Sequence, residues 1–154
     1  MRRVDELLDQ YSDDHRNSTN QLIHLVCVPL IVWTVTAFLW VIPVPAFLGK
    51  PGAFAALGMF LAWLWYWKLS RKLALGLLAC FILSVLLNLW ISQTFGMKFL
   101  LMLAVGVFVV AWIGQFIGHK VEGKRPSFLT DLVYLLVGPM WTLRKLYLRL
   151  GIGY

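Results

Sequence analysis

Long runs of apolar residues, separated by short polar segments, dominate the chain. Four runs stand out, at about 20–42, 51–67, 73–91 and 99–117. Each approaches the roughly 20 residues that an α-helix needs to cross a bilayer. Pro29 inside the first run predicts a kink, and Asn88 inside the third predicts an interhelical hydrogen bond. The pattern predicts an all-α integral membrane protein with four transmembrane helices, forming one membrane domain.

Shorter amphipathic patterns lie at both ends of the chain. Residues 4–14 place apolar side chains at helical spacing among acidic and polar ones, which predicts a helix at the membrane surface. Residues 128–141 are apolar but too few to span a bilayer, so they suit a re-entrant or interfacial helix. The tail that follows combines a leucine stripe with basic residues, which is typical of a helix on an anionic surface. We therefore expect a C-terminal re-entrant or interfacial helical segment over about 128–150.

Composition supports the membrane assignment. Hydrophobic residues make up 60% of the chain and charged residues 14%, whereas soluble domains average about 45–50% and about 25%. The net charge is +7, but the basic residues lie at the ends of apolar runs. They therefore predict contact with membrane lipids and exclude nucleic acid as a partner. Cys27 and Cys80 lie inside apolar runs and form no metal-binding or disulfide pattern. Whether copies of the chain assemble into a homo-oligomer stays open.

The distribution of basic residues predicts the orientation in the membrane. Two loops are rich in lysine and arginine: Lys68, Arg71 and Lys72 follow the second run, and Lys120, Lys124 and Arg125 follow the fourth. The other two loops contain one lysine each. Because lysine and arginine concentrate on the cytoplasmic side, both termini are expected in the cytoplasm, at a bacterial inner membrane or an endoplasmic reticulum membrane. The start of the first run and the end of the fourth then share one membrane face, with all three histidines.

The first histidine cluster is HRNSTNQLIH, from His15 to His24. Nine residues at about 100° each would put the two imidazoles on opposite sides of a continuous helix. The stretch from Ser18 to Gln21 matches the capping box S/T-x-x-E/Q, which predicts a helix start with Ser18 as the N-cap. A turn just before it would fold His15 back towards His24. Asn20 is four residues before His24 and shares its helix face.

The second cluster, QFIGHKVEG, places Gln115, His119 and Glu122 at i, i+4 and i+7 on one helix face. The candidate catalytic residues and metal ligands are His15, His24, His119 and Glu122. Asn20 and Gln115 are candidates to support them. Imidazoles with a carboxylate suit zinc or iron, and two histidines with one carboxylate are the pattern of non-haem Fe(II) oxygenases. The competing interpretation is a hydrogen-bonded His–Glu group that only fixes the helix ends.

The combined pattern Tyr11…His15…Asn20…His24…Pro29 and Gln115-x-x-Gly118-His119-x-x-Glu122-x-x-x-Pro126 resembles a known family. It is similar to the small membrane proteins typified by the fungal 2-hydroxy fatty acid dioxygenase of the endoplasmic reticulum, which has many bacterial relatives. The similarity covers nearly the whole chain, including a late Gly138-Pro139. One departure is Cys27, where relatives often have glycine two residues before the motif proline.

The resemblance implies an Fe(II)-dependent dioxygenase that uses O2 to shorten a 2-hydroxy fatty acid by one carbon, with release of CO2. It implies an iron site at His15, His24 and His119, and it adds Tyr11 to the supporting residues. Its partners would be a fatty-acyl lipid substrate and O2. The basic residues nearest the expected mouth of the site could attract the substrate carboxylate: Arg16, Lys120, Lys124 and Arg125. Each could equally be a residue that contacts lipid headgroups.

Two other functions fit the same residues. A non-catalytic membrane scaffold or lipid-binding protein would need the helices alone, with the histidines as structural caps. A zinc-dependent membrane hydrolase would keep the metal but use Glu122 as a general base. The metal content of the purified protein would distinguish the scaffold from both enzymes. The identity of the metal would distinguish the zinc hydrolase from the Fe(II) dioxygenase.

Overall fold

The computed structural model describes residues 2–126 and 132–154. Within these residues the chain forms α-helices joined by short connections, and no strand. The helices are α1 (Arg3–Asp13), α2 (Ser18–Val41), α3 (Ala53–Leu69), α4 (Arg71–Phe95), α5 (Met97–Glu122) and α6 (Tyr134–Arg149), with a 3-10 turn at Ala46–Leu48 before α3. The predicted all-α class is therefore confirmed for this part of the chain.

Three of the described helices, α2, α4 and α5, are long and apolar enough to cross a membrane. They contain 24, 25 and 26 residues. Helix α3 is apolar but has 17 residues, which at 1.5 Å per residue gives about 25 Å against a hydrocarbon core of about 30 Å. The architecture is that of a membrane protein with three clear candidate spans. A fourth span at α3 stays a prediction.

Helices α4 and α5 extend beyond the apolar runs that predict them. Helix α4 starts at Arg71 because the Ser70 hydroxyl accepts a hydrogen bond from the backbone of Leu73 (3.4 Å). Helix α5 ends at Glu122 because Gly123 adopts a left-handed conformation (φ 74°) that closes the last turn. Polar residues near these caps stay helical, so hydropathy alone underestimates the length of both helices.

Helices α1 and α6 pack against each other at one end of the bundle. Val4 and Leu8 on the apolar face of α1 are fully buried, and the buried Trp141 of α6 donates its indole N–H to the Ser12 hydroxyl of α1 (2.9 Å). Asp9 and Arg144 form an ion pair across the contact (2.9 Å). The predicted N-terminal helix is present within one residue of its expected bounds, but protein covers its apolar face where a membrane surface was expected.

The C-terminal segment is one continuous helix from Tyr134 to Arg149, and Pro139 lies inside it. The apolar stretch and the basic tail, which the sequence pattern separates, are therefore one element. The first residues of the predicted segment, 128–131, lie outside the described residues. Re-entry of this segment into the bilayer stays a prediction.

Helix α2 lies at the centre of the bundle and packs most extensively against α5. It also contacts α4 through a polar group inside the apolar region. The side-chain oxygen of Asn88 accepts a hydrogen bond from the Trp33 indole (2.9 Å), and its amide donates to the Thr36 hydroxyl (3.2 Å). The predicted interhelical hydrogen bond of Asn88 is confirmed.

Replacing Asn88 by leucine should destabilise the contact between α2 and α4. The substitution leaves the Trp33 indole and the Thr36 hydroxyl without this partner, and interhelical hydrogen bonds in membranes contribute about 0.6–1.7 kcal/mol each. We expect Asn88→Leu to lower the free energy of unfolding in detergent by about 1 kcal/mol. Ser92→Ala, on the same helix, removes only a local bond to Leu89 and is the matched control. Equal stability of both variants would contradict this role.

Candidate metal centre

The turn between α1 and α2 determines the geometry of the site. Asn17 is the N-cap of α2, and its side-chain oxygen accepts hydrogen bonds from the backbone N–H groups of Thr19 (2.9 Å) and Asn20 (3.3 Å). The predicted break before α2 is confirmed, but Ser18 as the cap is wrong by one residue. The Gln21 amide donates to the carbonyl of His15 (2.7 Å) and so supports the turn. Asparagine caps a helix at least as well as serine, so the motif alone did not identify the cap.

The turn brings the first two histidines together, as predicted. His15 and His24 approach to 3.1 Å between their Nε2 atoms, and their ring centroids are 4.3 Å apart. His119, from the last turns of α5, places its ring centroid 5.0 Å from that of His15 and 4.9 Å from that of His24. All three side chains are buried. One ligand atom from each lies within 4.8 Å of the others.

Hydrogen bonds to backbone carbonyls fix the protonation of two of the rings. Nδ1 of His15 lies 2.6 Å from the Tyr11 carbonyl, and Nδ1 of His24 lies 3.0 Å from the Asn20 carbonyl. Because a carbonyl oxygen can only accept, each Nδ1 carries the proton, and each Nε2 of a neutral ring keeps its lone pair. Burial lowers the pKa of His15, which favours the neutral form at pH 7.

Two lone pairs facing each other at 3.1 Å repel unless a cation lies between them. A metal ion at about 2.1 Å from each nitrogen would separate adjacent ligands by roughly 3.0 Å at a right angle and 3.4 Å at a tetrahedral angle. The spacing of His15 and His24 fits this range. His119 could supply a third nitrogen, since its buried Nδ1 has no hydrogen-bond partner among the described residues. The donor set of three neutral imidazoles suits zinc, iron or copper.

A small cavity of about 50 Å³ adjoins this group of histidines. His24, His119, Gln115 and Tyr11 line it together with apolar side chains. A cavity this size admits water-sized molecules, since one water needs about 10–15 Å³ of such space. The three histidines therefore have an adjoining space where a small ligand could reach a bound ion.

Glu122 is not part of the group of three. Its carboxylate accepts hydrogen bonds from the backbone N–H groups of Arg16 and Asn17 and from the side-chain amide of Asn20, each 2.9 Å long. Both oxygens are therefore engaged by the turn. These contacts attach the end of α5 to the turn that carries His15, and they give no support to Glu122 as a metal ligand.

The predicted supporting residues all lie at the site. Asn20 is fully buried, donates to Glu122 and accepts from His24. Tyr11 stacks on the His15 ring with a centroid distance of 4.1 Å and an interplanar angle of 16°. Burial raises the pKa of Tyr11, so its phenol stays protonated. Gln115 lines the cavity, and within the part of the chain that the structure describes its buried side-chain nitrogen has no hydrogen-bond partner.

The basic residues predicted to attract a carboxylate lie at the surface. Arg16 pairs with Asp13 (2.8 Å), and Lys124 pairs with Asp14 (3.2 Å). Lys120 and Arg125 are exposed as well. None of the four lines the cavity. Their placement is close to the turn but outside the buried site.

Trp141 belongs to the site but was missed by the sequence pattern, which treats tryptophan as a membrane-interface residue. Its buried ring lies 5.4 Å from that of His15 and 5.3 Å from that of Tyr11, and its indole donates to the Ser12 hydroxyl (2.9 Å). The only signal for it was the nearby Gly138. A Cβ atom there would lie 3.2 Å from the Tyr11 hydroxyl, so glycine lets α6 approach the site closely.

Comparison with known proteins identifies the family of the chain. A family profile described as "2-hydroxy-palmitic acid dioxygenase Mpo1-like" matches residues 1–150. The chain belongs to this family. A curated relative from Saccharomyces cerevisiae, named 2-hydroxy-palmitic acid dioxygenase MPO1, is 30% identical over 143 residues, covering 92% of this chain and 78% of the relative. No solved structure matches the chain. The resemblance drawn from the two histidine motifs is thus confirmed.

Replacing Glu122 by alanine tests whether it anchors the turn or binds the metal. An anchor positions a ligand, and loss of such a supporting residue costs about 10–100-fold in metal affinity. We therefore expect Glu122→Ala to bind one metal ion per chain at saturation, with affinity lowered by about 10–100-fold. The exposed Glu6→Ala on α1 is the control and should match the parent protein. Metal titration followed by elemental analysis measures both quantities. Failure of Glu122→Ala to bind metal at any concentration would show instead that the carboxylate is a ligand.

Proposed function

We propose that this protein is a membrane-bound, Fe(II)-dependent dioxygenase that shortens 2-hydroxy fatty acids by one carbon. The observation that carries the proposal is the convergence of His15, His24 and His119, with the Nε2 atoms of His15 and His24 3.1 Å apart in a buried site. Family membership supports the substrate class, since the yeast relative is named for 2-hydroxy-palmitic acid. Fe(II) suits a donor set of neutral imidazoles with open positions.

The overall reaction balances without an external reductant. A 2-hydroxy acid and O2 give the acid with one carbon fewer, CO2 and water. The bond between C1 and C2 breaks, C2 becomes the new carboxyl carbon, and O2 accepts four electrons. Bound iron would supply a Lewis acid for the hydroxy acid and the redox chemistry needed to activate O2.

The chain's own residues would prepare this site in three ways. The carbonyls of Tyr11 and Asn20 hold the Nδ1 protons of two histidines, which aims both Nε2 atoms at one point. Trp141 and Tyr11 cover the His15 ring and exclude water from it. The Gln115 amide nitrogen, which lacks a hydrogen-bond partner in residues 2–126 and 132–154, could hold an oxygen atom of the substrate in the cavity.

The contacts of Glu122 argue against a zinc hydrolase with this residue as general base. Its two carboxylate oxygens already accept three hydrogen bonds. A base at this position would have to give up contacts that hold the turn. A scaffold role would leave the buried Nε2 atoms of His15 and His24 facing each other at 3.1 Å. Burying polar atoms without a favourable partner costs stability, so this arrangement argues against a purely structural role.

We also propose that the metal centre lies at the cytoplasmic side of the membrane. The junction of α3 and α4, with Lys68, Arg71 and Lys72 in the adjoining helix ends, contacts α6, where the Tyr147 hydroxyl donates to the carbonyl of Lys72 (3.1 Å). The basic end of α5 meets the turn before α2 at this end too. Basic loops gathered at one end support cytoplasmic termini by the positive-inside rule.

Protein purified without oxygen in detergent should contain about one iron per chain and convert 2-hydroxypalmitate to the 15-carbon acid and CO2, consuming O2. Removing iron with a chelator should abolish the reaction, and Fe(II) but not Zn(II) should restore it.

Alanine at His15, His24 or His119 should each lower turnover at least about 100-fold, since ligand loss removes the site. Product analysis and O2 uptake measure the effect. Full activity of the metal-free protein, or restoration by zinc alone, would refute the proposal.

Gln115→Leu tests the role of the free amide donor. Loss of a hydrogen bond to a charged group costs about 1.5–3 kcal/mol, which corresponds to roughly 10–150-fold in kcat/KM. We expect such a fall in kcat/KM for 2-hydroxypalmitate, with iron content unchanged. Gln93→Leu on the exposed face of α4 is the control. Unchanged kinetics in Gln115→Leu would show that the amide does not contact the substrate.

A further inference from the structure

A large apolar groove lies between α2, α4 and α6. It is next to the small cavity that adjoins the three histidines, which we call the metal cavity. Its volume is about 610 Å³, within the roughly 300–1,000 Å³ that small-molecule sites occupy. Its walls include Val28 and Trp33 from α2, Cys80 and Ser84 from α4, and Pro139 and Leu143 from α6. We call this feature the α2–α4–α6 groove.

The groove and the metal cavity share a wall. Val28 and Val32 line both spaces, while consecutive residues of α6 line one each: Gly138 the cavity and Pro139 the groove. A Cβ atom on Gly138 would lie 3.6 Å from Val28 and 3.2 Å from the Tyr11 hydroxyl. Because glycine has no side chain, residue 138 adds no obstruction at the boundary between the cavity and the groove.

The walls of the groove suit a long alkyl chain. The hydroxyl of Ser84 donates to the carbonyl of Cys80 and that of Thr142 to the carbonyl of Gly138, each at 3.0 Å. Both hydroxyls therefore already donate a hydrogen bond within their own helices, so neither needs a polar group from a ligand. The lining residues of α4 run from Leu77 to Leu87, which corresponds to about 15 Å along the helix axis.

The groove is also accessible from the side of the bundle. Leu30 of α2 and Leu83 of α4 border it and are 40% and 66% exposed. Both helices are long and apolar enough to span a membrane, so the opening between them faces the hydrocarbon region. An acyl chain can enter it without passing through water.

We infer that the α2–α4–α6 groove binds the alkyl chain of the 2-hydroxy fatty acid while its carboxyl end reaches the metal cavity. The inference rests on the proposed function for its substrate. The wall that the groove shares with the cavity, formed by Val28 and Val32, places the groove next to the histidines. This position favours the substrate as its occupant over a bilayer lipid, which would need no site beside the histidines. The size of the groove would then determine which alkyl chain lengths of the substrate bind well.

Two adjacent residues of α4 give a matched test. Cys80 lines the groove, whereas Ala79 is exposed and lies outside it. Cys80→Trp should exclude several methylenes, each costing about fourfold in binding. We expect the ratio of kcat/KM for 2-hydroxypalmitate over 2-hydroxyoctanoate to fall at least about tenfold in Cys80→Trp and to stay unchanged in Ala79→Trp. The same ratio in both variants would overturn the inference.

Thiol labelling tests the groove without relying on turnover or on the folding of a variant with an added indole. In Cys27→Ser protein reconstituted in lipid nanodiscs, Cys80 is the remaining thiol. Saturating 2-hydroxypalmitate, without O2, should slow its reaction with N-ethylmaleimide about tenfold or more, and 2-hydroxyoctanoate should slow it less. Equal labelling rates with and without the long-chain acid would overturn the inference, including the case in which bilayer lipid already fills the groove.

The two tests separate this inference from the proposed function. Protection of Cys80 in a protein that shows no O2-dependent conversion would support the groove and refute the dioxygenase. Conversion of 2-hydroxypalmitate with no protection and no change in chain-length ratio would support the dioxygenase and refute the groove.

Discussion

The carboxylate of Glu122 makes the contact on which the site depends. It sits at the last residue of α5 and accepts two backbone N–H groups of the turn before α2 and the amide of Asn20. The N–H groups at the start of a helix have no partners within it, so a charged acceptor here satisfies donors and fixes the path of the chain. His15 lies shortly after α1, and this path of the backbone brings its side chain against that of His24. The Asn17 cap and the Gln21 amide hold the turn as well, but neither connects it to α5.

The neighbouring elements close the site against water and make the histidines ready for a metal. Helices α1 and α6 cover it with Tyr11 and Trp141, and α6 braces the turn through Lys145, whose ammonium donates to Gln21 (2.7 Å). Burial favours neutral imidazoles, and neutral imidazoles are the form that binds metals. The same burial would be a liability in a metal-free structural role, because two Nε2 lone pairs then face each other. The arrangement is consistent with a centre whose stability is completed by an ion.

The sequence predicts the participants of the site better than their roles. The helix start predicted after His15, with the charge bias of the loops, predicts that His15, His24 and His119 lie close together, and the structure brings them together. The spacing of Gln115, His119 and Glu122 on one helix face cannot tell which way the Glu122 carboxylate points, and its partners lie more than 100 residues earlier in the chain. Trp141 is missed because the tryptophans of a membrane protein are expected at its interfaces. Hydropathy also misplaces helix ends, since Ser70 and Gly123 set them through capping and backbone geometry.

The position of the histidines at one end of the bundle would suit the amphipathic substrate of the proposed function. A 2-hydroxy acid has a charged head that is costly to bury and an alkyl tail that gains about 0.8 kcal/mol per buried methylene. A site deep in the bundle would force the carboxylate into the hydrocarbon region, whereas one outside the membrane would expose the tail to water. The histidines lie where α2 begins and α5 ends, and the α2–α4–α6 groove extends from there between helices long enough to span the bilayer. Head and tail could therefore each remain in a favourable environment while the bond between C1 and C2 is held at the metal centre.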